Sequence, residues 1–102
     1  MPNWILTNYV FMGNKTELDQ LNEQLKKLGS RVEEISLCDV IAHFGGNYKK
    51  LPCQGHIVEY FRCSEFFLEV KTITAYTTKH EVWDFVMTKY TDLRYQYTGD
   101  CE

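Results

Sequence analysis

Residues 55–97 read GHIVEYFRCSEFFLEVKTITAYTTKHEVWDFVMTKYTDLRYQY, and the order of hydrophobic periods in that stretch decides the fold. His56 to Arg62 and Phe66 to Ala75 are rich in β-branched and aromatic residues, as strands are. In the second run Leu68, Val70 and Thr72 share one face, while Glu69, Lys71 and Ile73 share the other. A tight connection near residues 63–65 makes the two an antiparallel hairpin with one face more wetted. Thr78 and Glu81 then form the Thr-x-x-Glu pattern of a capping box. Val82, Phe85, Val86 and Tyr90 follow at helical spacing, which predicts a helix over about 79–90. Leu93, Tyr95 and Tyr97 alternate with Arg94 and Gln96 in a last strand.

Working outward, Trp4 to Met12 is a further strand. Trp4, Leu6, Val10 and Met12 share one of its faces, interrupted by Asn8, and Ile5, Thr7, Tyr9 and Phe11 share the other. Apolar residues on both faces predict a central strand. Asn14 is placed as an N-cap with Glu17 in capping-box position. Leu18, Leu21, Leu25 and Leu28 put one stripe on the sheet, Glu23 and Lys27 pair on the outer side, and Gly29 ends a helix over about 15–28. Between Arg31 and Pro52 two readings compete. Ser36 and Asp39 can cap a short helix lined by Leu37, Val40, Ile41 and Phe44 and stopped by Gly45-Gly46; alternatively residues 32–37 form a short strand followed by loop. The short helix is favoured, with residues 47–54 as loop and Pro52 as breaker. The expected fold is a single α+β domain over residues 1–102: a ferredoxin-like βαββαβ plait, a four-stranded antiparallel sheet with two helices on one face and a short extra element before the second strand.

Composition bounds the function classes. The chain has 102 residues, a net charge of −3, and ordinary hydrophobic and charged shares of 44% and 25%. That charge, with no basic run beyond Lys26-Lys27 and Lys49-Lys50, argues against nucleic acid. The aromatic share of 15% exceeds what so small a core encloses, so some rings are expected at a surface that binds. No apolar run approaches a membrane span, and the start lacks the pattern of a secretory signal, so the expected location is the cytoplasm, without membrane association. Cys38, Cys53, Cys63 and Cys101 are irregularly spaced and leave both that expectation and their own pairing open.

The opening Met1-Pro2-Asn3-Trp4, the stretch Gly55-His56-Ile57-Val58-Glu59-Tyr60, the turn Thr72-Ile73-Thr74-Ala75-Tyr76 and the passage Lys89-Tyr90-Thr91-Asp92-Leu93 are similar to the corresponding parts of the YubB ferredoxin-like family. The family often has Cys and Asn where this chain has Ile5 and Thr7. The resemblance implies a ferredoxin-like domain of bacterial origin, associated with plasmids and other mobile elements. Members commonly continue past the last strand, so it also implies that these residues are the N-terminal domain of a longer protein. It brings no established activity and no catalytic residues.

Four chemistries can be weighed from the residues. Cys38, His43, Cys53 and His56 lie within a short stretch and are candidate zinc ligands, with Cys63 near by, but no Cys-x2–4-Cys pair is present and core or loop roles explain them better. Cys53 and His56 are the candidate nucleophile and base of a Cys/His enzyme, with no third residue or oxyanion hole to complete them. Tyr9 and Phe11 with Phe66 or Phe67 occupy the strands on which an RRM stacks bases, yet Phe66-Phe67-Leu68-Glu69-Val70 lacks the glycines of that motif and carries an acid. The leading expectation is therefore a non-catalytic binding module, without metal or cofactor. Its helix-free sheet face, carrying Tyr9, Phe11, Phe67, Ile73, Tyr95 and Tyr97, binds a second copy or a protein partner. An RRM-like nucleic-acid domain is the alternative, and a zinc-binding or Cys/His catalytic domain comes third.

Overall fold

The computed structural model describes residues 4–101 except 32, 52 and 77. The opening Met1-Pro2-Asn3 and the Pro52 breaker lie outside the described residues. The elements run β1 (Trp4–Gly13), α1 (Lys15–Gly29), α2 (Leu37–His43), β2 (Gly55–Arg62), β3 (Phe67–Ala75), α3 (His80–Met87) and β4 (Leu93–Cys101). The strands form one antiparallel sheet in the order β2-β3-β1-β4, which makes β1 central as its two apolar faces required. The architecture is α+β, with three helices rather than two, because the capped segment after Ser36 is a helix.

Local signals explain most element ends. The Asn14 carboxamide oxygen accepts from the Thr16 amide at 2.8 Å and the Glu17 amide at 3.4 Å, capping α1. Glu17 does not complete a box. Its carboxylate accepts from the Thr91 amide and hydroxyl and from the Asp92 amide, between 2.7 and 3.0 Å, and so ties the start of α1 to the α3–β4 connection. Glu23 pairs with Lys26 at 3.9 Å rather than with Lys27. Around Ser36 both competing readings hold in part. Ser36 and Asp39 form a reciprocal capping box for α2, while Ser36 bridges His56 and the Ile57 amide donates to the Ile35 carbonyl at 2.8 Å. The competing strand was read from residue 32, which lies outside the described residues.

The box read at Thr78 does not form. The N-cap of α3 is Lys79, which makes no side-chain capping bond, and the Thr78 hydroxyl is engaged with the ring of His80. At Gly13 (φ 142°) the chain turns against the α3–β4 connection so closely that a Cβ would lie 1.9 Å from the Asp92 carbonyl oxygen.

All three helices cover one face of the sheet. Leu18, Leu21, Leu25 and Leu28 of α1, Leu37, Val40 and Ile41 of α2, and Val82, Trp83 and Val86 of α3 share one hydrophobic cluster with Tyr9, Phe11, Leu68 and Val70. Each fully buried aliphatic side chain there contributes roughly 1.5–3 kcal/mol of transfer free energy. Among the described residues, no helix is long and apolar enough to cross a membrane.

Candidate binding surface

The face without helices is built in rows by the strand register. Met12 lies beside Phe67 and Arg94; Val10 lies beside Glu69 and Gln96, with Phe61 next to Glu69. Asn8 then lies between Lys71 and Thr98, and Glu59 follows Lys71 on β2. Leu6 lies beside Ile73, which pairs with His56, and Trp4 ends the central column. The result is two apolar zones separated by a polar band. Phe61 and Phe67 are 40% and 43% exposed at one end, Trp4 is 36% exposed at the other, and Leu6, Val10, Met12 and Ile73 are half-buried. Opposite charges at Glu59 and Lys71 face each other across the strands within the band.

Of the six aromatic and aliphatic residues expected on this face, only Phe67 and Ile73 lie there. Tyr9 and Phe11 point to the helices and are fully buried. The register pairs Tyr9 with Tyr97 and Phe11 with Tyr95, so the two β4 tyrosines follow them to the helix side. The reason is the core requirement of α3: Trp83 sits against Tyr9 and Phe11, with ring centroids 5.6 and 5.3 Å away. Trp4, Leu6, Val10, Met12 and Phe61 lie on that face instead. Their alternation was legible in the sequence, but β1 is apolar on both faces, and nothing local says which face the helices claim.

On the helix side, those four residues belong to a polar-aromatic cluster that sequence reasoning missed. The Tyr9 hydroxyl bonds His80 Nδ1 at 3.0 Å, the Thr78 hydroxyl bonds His80 Nε2 at 2.8 Å, and the Tyr97 ring lies over the imidazole at 3.9 Å. Tyr95 donates its hydroxyl proton to Asp84 of α3. Burial pushes the Tyr9 phenol far above its usual range, and the negative charge of Glu81 adds to the shift. Tyr95 is raised in the same way, by burial first and by its bond to Asp84 second. These phenols stay protonated: Tyr95 donates to Asp84, while the direction of the Tyr9–His80 bond follows the imidazole tautomer. With both ring nitrogens engaged, His80 fastens α3 to β1. The sequence signal was Thr78-Lys79-His80, whose cap-like pattern hid a side-chain bond two residues long.

The candidate metal ligands do not converge. Cys38 and Cys53 are joined in a disulfide with Cα atoms 5.3 Å apart, which fastens α2 to the loop before β2. His43 bonds Gln24 of α1, and His56 Nε2 meets a Glu34 carboxylate oxygen at 2.8 Å. Among the described residues, no group of three or more His, Cys, Asp and Glu is placed to hold a metal ion. The disulfide also removes the Cys53 thiol from the pair it was to form with His56. Cys63 is exposed, and its thiol is pushed up by partial desolvation and by the carboxylate of Glu69, which disfavours the reactive thiolate.

Comparison with family models, with curated proteins and with solved structures returned no match.

Proposed function

We propose that this chain is a bacterial ferredoxin-like plait of the YubB type that works as a non-catalytic binding module, and that its helix-free sheet face associates with a second copy of the chain. The plait reading is supported by the strand order, which read from the other edge is β4-β1-β3-β2, with a helix following each central strand. One observation carries the binding reading: large apolar side chains at Trp4, Phe61 and Phe67 stay exposed on the one sheet face that has no helix over it. An antiparallel sheet leaves one face to water only when that face is polar, and this one is half apolar. The nucleic-acid alternative has less support, since of the rings it invoked Tyr9 and Phe11 are buried and only Phe66 and Phe67 stay exposed.

The test is native mass as a function of protein concentration. A dimer that dissociates on dilution, and that Phe67→Glu converts to monomer without lowering the melting temperature, is the expected result. A chain that stays monomeric at the highest concentration reached refutes self-association.

A further inference from the structure

We infer that the free edge of β2 docks an extended basic segment of another protein by strand addition. The site lies on the strand edge and does not depend on the sheet-face reading, although His56 and Glu59 border both. β2 is a terminal strand of the sheet, and its outer edge already accepts one strand-like contact, from Ile35 and Ser36 to Ile57 and His56. That pairing stops at Val58, where a β-bulge breaks the register between Ile57 and Glu59. Beyond it residues 33–34 part from the strand, and a groove of about 730 Å³ opens between them. Gly29, Glu33 and Glu34 line one side of the groove; Val58, Glu59 and Tyr60 line the other.

The backbone supplies the affinity. In an antiparallel ladder every second residue turns its N–H and C=O away from the neighbouring strand. Ile57 does so and uses its N–H on Ile35. Past the bulge, Glu59 pairs with Lys71 and Phe61 with Glu69, and Cys63 donates to the Phe67 carbonyl in the same alternation. Tyr60 and Arg62 therefore turn their backbone groups outward. An extended peptide laid in the groove completes those bonds, as in β-augmentation generally.

Charge sets the identity of the peptide. Glu33, Glu34 and Glu59 border the groove, and neither Lys nor Arg lines it. Among the described residues Glu34 pairs with His56, Glu59 lies across the strands from Lys71, and Glu33 makes no ion pair. A segment with Lys or Arg at alternate positions places its cations against these carboxylates while its backbone pairs with β2, and an acidic segment is repelled.

The probe is a short acetylated, amidated peptide alternating Lys and Val, titrated at low salt with the backbone amides followed by NMR. Saturable shifts at Tyr60 and Arg62 are expected, with binding about tenfold weaker in the double variant Glu33→Gln, Glu34→Gln, which neutralises exposed charge before α2 without altering the sheet face. The same peptide N-methylated at alternate residues is expected not to bind. Equal affinity for the Lys→Glu version of the peptide overturns the charge assignment. Undiminished binding of the N-methylated peptide overturns strand addition, and no shift at Tyr60 or Arg62 overturns the site. Loss of these shifts with a normal monomer–dimer equilibrium separates failure here from failure of the sheet-face reading.

Discussion

Two side chains carry consequences out of proportion to their size. Tyr76, just after β3, holds φ at 69° with its side chain 61% exposed, so it bears the strain of the left-handed region with little packing in return. Tyr76→Gly is expected to raise stability by about 1 kcal/mol in denaturant unfolding; a loss instead shows that the ring makes a contact worth more than the strain. Glu17 acts through three donated bonds from Thr91 and Asp92, and these hold its carboxyl below the ordinary value of 4.5. Its folded value is depressed, so its contribution is whole above the unfolded value and is lost as pH falls through the lower folded one. Glu17→Gln is therefore expected to lower stability at neutral pH and to flatten the acid side of the stability–pH curve below 4.5, where that contribution is lost in the unmodified chain as well. An unchanged acid limb shows that the link between α1 and the α3–β4 connection is not energetically coupled to folding.

At the scale of elements, the disulfide between Cys38 and Cys53 makes the sharpest claim. It spans a sequence separation of 15 and holds the loop before β2 onto α2. Cys38→Ser is expected to lower stability by about 3 kcal/mol under oxidising conditions and to remove the difference between melting curves with and without reductant. Curves that already coincide in the unmodified chain mean that the pair is reduced in solution. That pairing was not legible in irregular Cys spacing, because a disulfide reports distance in the fold and not in the sequence. What was legible is what repeats locally: the leucine stripe of α1, the Ser36–Asp39 box, and the alternation of β3. What was not legible depended on competition between distant groups. Thr78 has the spacing of a cap, but His80, fixed from the other side by Tyr9, takes its hydroxyl. Tyr9 and Phe11 have the look of a binding stripe, but Trp83 claims them for the core.

At the scale of the whole molecule, the proposed self-association implies a particular packing. Two such sheets packed with a two-fold axis running along the strands, between β1 and β3, bring each row against its own equivalent. Phe67 then meets Met12 of the other copy, Ile73 meets Leu6, and Lys71 meets Asn8, so apolar zones cover apolar zones and the polar band meets polar groups. One residue opposes the arrangement: Glu69, whose cross-strand neighbour is Val10, is brought against Val10 of the second copy. A carboxylate desolvated by a valine weakens association. Glu69→Gln is accordingly expected to tighten the dimer several-fold, measured by sedimentation across a concentration series, whereas Tyr97→Ser on the helix side leaves it unchanged. The gain is the stricter test, because damage to the fold can abolish a dimer but does not strengthen one. A weaker dimer in Glu69→Gln places the interface elsewhere, and a dimer lost in Tyr97→Ser moves it to the β4 edge, beside the cluster that fastens α3.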